Sequence, residues 1–280
     1  MNVKILVCCH KQDVMATSAP YMPVQVGKAV SKVNLGVIGD DTGDNISSKN
    51  KSYCECTGLY WAWKNLKGVD IIGLCHYRRY FDFHHQVKRP YNYRIYPASE
   101  FGKLDLSVPE SVIRKVAKGG VVVTEPNVYP YSIWCDYCNC HYSTDIRVVH
   151  EIICEKGEEK YIDAFDESIC KNNKLLHYNM FLMRWEDFDR YCTWLFSILE
   201  AAEHRIDISH YDAVQGRIWG YLAERLMNVW LYAEQKELIK RPMLWILNEK
   251  VDRISPLHYM FKCWKYNLAM KLVNPLFSKR

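Results

Sequence analysis

The sequence predicts an α/β fold: a mixed, Rossmann-like sheet flanked by helices, with a helical C-terminal part. Short apolar runs at residues 3–9, 69–75 and 121–124 have the length of buried strands. Stretches with helical spacing alternate with these runs along the chain. Because strands that alternate with helices favour an α/β sheet over an all-helical fold, this alternation decides the class.

The predicted elements follow one another with short connections. Strands are expected at residues 3–9, 35–38, 69–75, 121–124 and 175–183, the last with a polar interruption at 177–179. Helices are expected at residues 53–65, 111–118, 146–156, 161–167, 185–202 and 218–235. A turn is expected at 20–23, an irregular excursion at 82–104 and an aromatic loop at 125–145. We expect one domain over residues 1–245 and a basic amphipathic tail over 246–280.

Composition and charge exclude several classes of protein. With 49% hydrophobic and 25% charged residues among 280, the chain has the composition of an ordinary globular protein. Six Lys or Arg and no acid occur between Arg253 and Arg280, so the rest of the chain is close to neutral and is not expected to bind nucleic acid. No apolar run reaches the roughly eighteen residues of a membrane span.

The twelve cysteines raise the question of a disulfide framework. The first apolar stretch, residues 3–9, is too short for a secretory signal and is interrupted by Lys4. Without export, thiols stay reduced. We therefore expect a cytoplasmic protein, peripheral on the inner face of the cell membrane.

A cluster of polar side chains ends the apolar run at 69–75. It comprises His76, Tyr77, Arg78, Arg79 and Tyr80. In open α/β sheets, ligands bind outside the carboxyl ends of the strands. Arginine presents a planar fork of donors that suits phosphate, so two of them at a strand end suit a diphosphate. The alternative is a structural ion pair among packed aromatic side chains.

The segment CHYRRYF (75–81), preceded by NISSKNKSYCECTGLYWAWKN (45–65), resembles the signature of an uncharacterised bacterial family. The members of this family lie in capsular and exopolysaccharide synthesis clusters and are described as glycosyltransferases. The segments YNMFLM (178–183), YCTWLF (191–196) and GYLAERLMNVWL (220–231) also fit its pattern, so the resemblance runs from about residue 3 to residue 233. It implies sugar transfer from a nucleotide donor on a GT-A-like fold.

The cluster at 76–80 departs from a common GT-A feature. Many GT-A enzymes carry an Asp-x-Asp metal motif at the end of an internal strand. Here that place is taken by a segment without an acid, and Asp82 is not followed by a second Asp at the required spacing. We therefore expect Arg78 and Arg79 to stabilise the departing diphosphate in place of a metal.

An alternative metal site precedes the first predicted helix. Asp40, Asp41 and Asp44 could hold Mg²⁺ or Mn²⁺, since hard cations prefer carboxylate oxygens. The competing interpretation is a solvated turn with a helix cap. Lys49 and Asn50, with Asn45 before them, lie where such families contact the nucleotide, and a helix start with positive charge suits phosphate.

A cysteine cluster offers a further metal hypothesis. Cys135, Cys138, Cys140 and His141 resemble zinc ligands. The cluster lacks the two separated ligand pairs that are usual in structural zinc sites, so zinc is the weaker interpretation.

The residues that bind and activate the acceptor are predicted from polar positions in apolar surroundings. Glu224, in an otherwise apolar helix, is the predicted general base for an acceptor hydroxyl, and Asp212 is a weaker candidate. The alternative for Glu224 is an ion pair with Arg225 or Arg217. His141 is placed in the acceptor-side loop by the resemblance, while His177 and Asn179 interrupt a predicted buried strand and suggest polar contacts in the cleft.

The basic tail combines Phe261 and Trp264 with several lysines. Such an amphipathic segment is typical of a membrane-surface anchor, and the alternative is a helix docked on the domain.

Together, the resemblance, the polar cluster at 76–80 and the basic tail predict a hexosyltransferase that uses a UDP-sugar and a lipid-linked glycan as acceptor. Galactose, in pyranose or furanose form, is the expected sugar. The competing class is a non-catalytic nucleotide-sugar-binding or scaffold protein of a polysaccharide assembly complex.

Overall fold

A computed structural model describes residues 1–84, 93–248 and 255–277 of the chain. Within these residues the strands are β1 (Val3–Cys9), β2 (Tyr21–Gln25), β3 (Ile38–Gly39), β4 (Ile71–His76), β5 (Arg79–Phe81), β6 (Tyr93–Pro97), β7 (Val121–Thr124), β8 (Asn127–Val128), β9 (Lys174–Leu175), β10 (Phe181–Arg184), β11 (Leu238–Arg241) and β12 (Met243–Leu247). The helices are α1 (Asn50–Tyr53), α2 (Cys56–Asn65), α3 (Glu110–Ala117), α4 (Ile133–Cys140), α5 (Ser143–Lys156), α6 (Glu159–Phe165), α7 (Trp185–Glu203), α8 (Ile218–Ala233) and α9 (Pro256–Phe277).

Ten of these strands form one mixed sheet. Its order is β11-β7-β10-β4-β1-β2-β3, and β5, β12 and β6 continue from β4. Strands β4, β1, β2 and β3 run parallel, whereas β10 is antiparallel to both of its neighbours. Consequently β1 and β4 end at the same edge of the sheet, which is where ligands bind in open α/β folds.

Alternation along β1 divides the core between the two faces of the sheet. Leu6 and Cys8 pack on the face that is covered by α2, α7 and α8, whereas Ile5 and Val7 pack on the face that is covered by α3. Both sets are buried, as expected for a central strand whose side chains point alternately to opposite faces. The sheet is therefore a fixed platform for the loops at its carboxyl edge.

Most predicted strands and helices are present, but four regions differ from the predictions. Pro20 lies in a turn, but residues 21–23 belong to β2, and only the last residue of the expected strand at 35–38 is part of a strand, β3. Only the last two residues of β2, Val24 and Gln25, pair with β3, so Pro23 lacks a sheet partner on that side and is tolerated. The excursion at 82–104 contains β6, and its residues 85–92 lie outside the described part of the chain.

The largest difference between the predicted and the observed secondary structure lies at residues 125–145, which were predicted to form an aromatic loop. This stretch contains α4 and the start of α5, and the hydroxyl of Ser132 caps α4 by accepting from the Cys135 N–H. The buried residues of α4, Ile133, Asp136 and Tyr137, have helical spacing, but a buried acid among them hides the apolar pattern.

Three further boundaries differ from the predictions. The predicted helix at 53–65 is broken into α1 and α2, and the predicted strand at 175–183 is broken into β9 and β10. The predicted domain boundary after residue 245 falls inside β12, which pairs with β5 and β6, so the sheet extends to Leu247.

Candidate active site

An open cavity of about 1360 Å³ lies at the carboxyl edge of the sheet. Its walls come from the ends of β1 and β4, the break between α1 and α2, the loop before α4, the turn between β9 and β10, the start of α8, and β12. Close packing brings two of these walls together, because a Cβ atom on Gly220 of α8 would lie 3.1 Å from the Cys54 side chain. Several separate segments thus converge on one space.

The two arginines after β4 have different surroundings. Arg78 donates through Nε to Asp13 Oδ2 at 2.7 Å and forms an ion pair with the same carboxylate. The Arg79 guanidinium lies 4.4 Å from the centroid of the Tyr178 ring and 5.6 Å from that of Trp245. Within the described residues no carboxylate lies at ion-pair distance from Arg79, and its Nε is buried without a partner. Arg79 is therefore the cation of this cluster that remains available to an anion.

A strained turn between β9 and β10 carries Tyr178 into the cavity. Tyr178 and Asn179 have φ values of 70° and 51°, which non-glycine residues rarely adopt and which cost about 1–3 kcal/mol each. Three side chains hold the turn. His76 Nε2 contacts the Tyr178 carbonyl oxygen at 2.8 Å, the Tyr178 N–H donates to Glu224, and Asn179 Nδ2 donates to Glu55 Oε1 at 2.8 Å. The tyrosine that stacks on Arg79 is thus held in place by residues of β4, α8 and the start of α2.

His76 is neutral at pH 7 in this setting. Burial lowers its pKa, and the attraction of Glu55 and the repulsion of Arg79 act in opposite directions on it. Because the Tyr178 carbonyl can only accept, Nε2 of His76 carries the hydrogen. His76 and Tyr77 both line the cavity.

Glu224 is enclosed by hydrogen-bond donors. It accepts from the Tyr178 N–H at 2.9 Å and from Arg225 Nη1 at 3.2 Å, and His177 Nδ1 lies 3.7 Å from it. Burial raises the pKa of Glu224, but His177, Arg225 and the Tyr178 N–H outweigh burial and lower this pKa to about 2. Such a carboxylate is a weak proton acceptor. The ion pair with Arg225, the alternative interpretation of Glu224, is present.

A second buried carboxylate extends this network. Arg225 Nη2 donates to Asp136 at 3.0 Å, and His177 Nε2 lies 2.8 Å from the Tyr129 hydroxyl. Burial raises the pKa of Asp136, and Arg225 opposes the rise. Both ring nitrogens of His177 therefore face protein groups.

His141 and Asp212 lie near the N-terminal end of α8. His141 Nδ1 lies 2.9 Å from Gln215 Oε1, and its ring stacks on Tyr221 at 4.2 Å. Asp212 accepts from the N–H groups of Val214 and Gln215, so it fixes the turn that precedes α8. His141 and Asp212 line the cavity, as does His177.

The loop before α1 is engaged in internal contacts. The Asp40 carboxylate is fully buried and accepts from the N–H groups of Gly27 and Lys28 and from the Ser47 hydroxyl. Lys49 Nζ pairs with Glu203 at 2.7 Å, and Asn45 bonds to residues of its own turn. Of the predicted nucleotide-side residues in this loop, Asn50 is the one that lines the cavity.

Two other predicted site residues lie behind the cavity wall. Tyr80 is fully buried in the core, where its hydroxyl accepts from the Ala16 N–H and donates to the Tyr77 carbonyl. Asn179 is 1% exposed and acts on the strained turn. Their positions favour a structural role for Tyr80 and Asn179 over direct contact with a ligand.

Neither predicted metal cluster assembles within the residues that the structure describes. These residues contain no group of three or more His, Cys, Asp or Glu side chains arranged to hold a metal ion. Asp40 is occupied by donors and Asp44 accepts from the Tyr60 hydroxyl, so Asp40, Asp41 and Asp44 do not converge on a cation. Cys135, Cys138 and Cys140 are free thiols on α4.

Several residues that line the cavity were not predicted as site residues from the sequence. Glu55 and Tyr178 lie inside segments that were singled out, and an acid directly before a tryptophan-rich helix was a usable signal for Glu55. Arg225 and Asp136 pair across 89 positions, and Trp245 belongs to a strand that was not predicted. Nothing in the local pattern of Tyr129 indicates its contact with His177.

Residues 4–236 match the family model described as a domain of unknown function, DUF4422. The chain belongs to this family. No curated protein matches the sequence. A solved structure described as the apo structure of the WbbM bifunctional glycosyltransferase is similar to this DUF4422 chain, with a TM-score of 0.77 and 29% identity. The match covers 90% of this chain and 47% of that one, so this chain spans about half the length of that protein.

The similarity confirms the predicted fold class. The DUF4422 chain is a mixed α/β sheet flanked by helices, and this arrangement matches a glycosyltransferase fold. Among the described residues, none of the helices has both the length and the apolar character needed to span a membrane.

Proposed function

We propose that this DUF4422 chain is a glycosyltransferase that moves a hexosyl group from a UDP-sugar to a lipid-linked glycan in capsular or exopolysaccharide synthesis. The proposed transferred sugar is galactose, in its pyranose or furanose form. The fold supports sugar transfer in general, since its structural relative is a glycosyltransferase. The observation that carries the proposal for this site is Arg79, which lines an open cavity at the carboxyl edge of the sheet and has no ion-pair partner among the described residues.

Arg79 is the proposed contact for the diphosphate. Its guanidinium contacts two aromatic rings but has no carboxylate partner among the described residues, so an incoming phosphate does not have to displace one. Hydrogen bonds to charged groups contribute about 1.5–3 kcal/mol each. Arg78 contributes positive charge while it remains bound to Asp13, and His76 and Tyr77 shape the pocket beside both arginines.

The proposed transfer does not depend on a metal ion. In many sugar-transfer sites a cation offsets the charge that develops on the leaving diphosphate, and preorganised arginine charge can do the same. The described residues do not offer a carboxylate cluster for Mg²⁺ or Mn²⁺. The leaving group is therefore proposed to depend on Arg79, with Arg78 and Asn50 nearby in the cavity.

Calorimetry and product analysis test the proposed function. The purified chain is titrated with UDP, UDP-galactopyranose and UDP-galactofuranose in EDTA, and then assayed for transfer to decyl galactoside. We expect micromolar UDP binding without added metal and transfer from at least one donor. Absence of binding to all three nucleotides contradicts the proposal.

The C-terminal helix α9 is the proposed contact with an anionic membrane surface. Leu257, Phe261, Trp264, Leu268 and Leu272 are exposed at spacings of three or four residues and therefore share a helix face. Residues 255–277 include Lys262, Lys265 and Lys271 but no acid. Near an anionic lipid surface each lysine adds about 1 kcal/mol of attraction.

Contacts between α9 and the domain place this helix beside β8. The Tyr259 hydroxyl donates to the Pro126 carbonyl at 3.2 Å, and Asn173 donates to Asn267. Tyr129, which lines the cavity, directly follows β8. A membrane-bound α9 would therefore bring a lipid-linked acceptor close to this side of the cavity.

Vesicle co-sedimentation tests the membrane contact. The chain should bind vesicles that contain phosphatidylglycerol, bind pure phosphatidylcholine much less, and dissociate as salt is raised. Replacing Lys262, Lys265 and Lys271 by Gln should abolish binding, whereas the control Lys118→Gln on the exposed end of α3 should not. Equal binding of the triple variant would remove α9 from the proposal.

The non-catalytic binding protein remains the second candidate. Its supporting observation is that the predicted base, Glu224, is enclosed by donors and has a pKa of about 2. The same transfer assay separates the two, because a scaffold binds UDP and transfers no sugar.

A further inference from the structure

Each of the four carboxylates that line the cavity accepts at least one hydrogen bond from a protein donor. Glu224 accepts from the Tyr178 N–H and Arg225, Asp136 pairs with Arg225, and Glu55 accepts from Asn179. Asp212 accepts two backbone N–H groups. The histidines that line the same cavity are further candidates for the group that removes a proton from an acceptor hydroxyl.

The neighbours of His141 define its tautomer. Gln215 Nε2 donates to the Cys140 carbonyl at 2.9 Å, which fixes the orientation of this amide and turns Oε1 toward His141. An amide oxygen only accepts, so His141 Nδ1 must carry the hydrogen. In the neutral imidazole the lone pair is consequently on Nε2. Within the described residues, this Nε2 has no hydrogen-bond partner.

Aromatic contacts hold the His141 ring. Tyr221 stacks on it with ring centroids 4.2 Å apart and an angle of 25° between the planes, and Tyr137 lies 4.8 Å away. Because Tyr221 comes from α8 and Tyr137 from α4, the ring is clamped between two helices. A fixed ring with one committed nitrogen and one available nitrogen has the geometry of a general base whose orientation is set by a second residue.

The charges around His141 favour its neutral form. Burial lowers its pKa from the usual value, and Arg225 of α8 acts in the same direction. The Gln215 hydrogen bond, Asp136 of α4 and Asp145 of α5 act in the opposite direction and are outweighed. His141 is therefore unprotonated at pH 7, as a base must be.

The other histidines are less suited to this role. His76 directs Nε2 to the Tyr178 carbonyl, and His177 has protein groups at both nitrogens. His10 lies edge-on to Tyr77, and its pKa is lowered by burial and by the surrounding cations Lys11, Arg217 and Arg78. His10 thus belongs to the cationic side of the cavity, where the diphosphate is proposed to bind.

We propose that His141 is the general base of an inverting sugar transfer and that Gln215 is its positioning residue, an inference that rests on the proposed function. The acceptor hydroxyl gives its proton to His141 Nε2 as its oxygen forms a bond to the anomeric carbon. The bond between that carbon and the diphosphate oxygen breaks, and its electron pair leaves with UDP. Asp212 supports the base indirectly, because it fixes the backbone of Gln215.

Transfer to decyl galactoside by His141→Gln is the decisive comparison. General bases typically contribute 10²- to 10⁴-fold, so we expect kcat to fall at least 100-fold while the Kd for UDP changes less than threefold. Imidazole in the buffer should restore part of the rate, and the parent's product should have the inverted anomeric configuration. The control His204→Gln, at the exposed end of α7, should leave kcat unchanged.

Gln215→Glu tests the positioning role. A carboxylate at Nδ1 stabilises the imidazolium and raises the pKa of His141, so the acidic limb of kcat/KM should move to higher pH. An unmoved limb would remove Gln215 from the mechanism.

The outcomes separate this inference from the proposed function. A parent that binds no nucleotide contradicts the proposed function itself. A parent that binds UDP but transfers no sugar contradicts both claims. A parent that transfers sugar while His141→Gln keeps its kcat, or while the product retains the donor configuration, overturns the role of His141 alone.

Discussion

The loop before α1 and the end of β4 carry similar polar side chains but use them differently. In the loop, Asp40 is surrounded by backbone donors and Lys49 is paired with Glu203. At the strand end, Arg79 is stacked on Tyr178, and within the described residues no acid pairs with it. Charged residues near a predicted ligand site thus fall into two classes, those that hold the fold and those that remain available. Substitutions should affect stability in the first class and ligand binding in the second.

The largest effect is expected for Asp40→Ala. This change leaves the N–H groups of Gly27 and Lys28 and the Ser47 hydroxyl without their acceptor in a buried setting, at about 1–3 kcal/mol for each unsatisfied group. We expect the free energy of unfolding in urea to fall by about 3–5 kcal/mol. The Kd for UDP of the remaining folded protein should be unchanged. A weakened UDP affinity with unaltered stability would place Asp40 in the second class.

Glu224 lines the cavity, but its contacts assign it, like Asp40, to the charged residues that stabilise the fold. Its folded pKa of about 2 lies below the usual 4.5, so it contributes stability above pH 4.5 that is lost as the pH falls toward 2. At about 1.4 kcal/mol per pKa unit this contribution amounts to about 3 kcal/mol. Glu224→Gln should therefore flatten the decline in unfolding free energy between pH 5 and pH 2.5. The same acid-induced decline in parent and variant would contradict the ion-pair role.

Arg79→Gln should affect ligand binding and leave the fold intact. Loss of one charge-assisted contact to the diphosphate should weaken UDP binding about 10- to 100-fold by calorimetry. The melting temperature should stay within a few degrees, since no described ion pair is lost. The matched control is Arg114→Gln on the exposed face of α3, which should bind UDP like the parent.

The smallest effect is expected for Lys49→Met. The ion pair with Glu203 is partly exposed, with side-chain exposures of 46% and 31%, and such pairs contribute about 0–1 kcal/mol. Unfolding free energy and UDP affinity should therefore both change little. A tenfold loss of UDP affinity would show that Lys49 turns from Glu203 to the nucleotide.

Local pattern predicted several central strands of the sheet and the position of the polar cluster at the end of β4, but it did not predict β2, β5, β6, β11 or β12. The strands at 3–9 and 121–124 agree with β1 and β7, and the expectation that ligand groups follow β4 rests on the rule for parallel strands. The pattern failed where structure depends on distant residues. The turn at Tyr178 and Asn179 has a rare backbone conformation that is fixed by Glu55, His76 and Glu224, which lie more than 40 positions away.

The sequence also did not predict which polar side chains are paired with other protein groups and which remain available to a ligand. Arg78 and Arg79 are adjacent and chemically identical, but Arg78 meets Asp13, 65 positions earlier in the chain, whereas Arg79 meets Tyr178 and Trp245. Periodicity predicts the side of a strand to which each arginine points, but it does not predict which residue the arginine contacts on that side.

A crystal structure of the chain with UDP and Mn²⁺ tests the central claim most directly. The account predicts the diphosphate in the cavity at the carboxyl edge of the sheet, with the Arg79 guanidinium within about 3 Å of a phosphate oxygen. It predicts no metal ion between the diphosphate and Asp40, Asp41 or Asp44. A Mn²⁺ ion that bridges those carboxylates to the diphosphate, with Arg79 free of contact, would contradict the account.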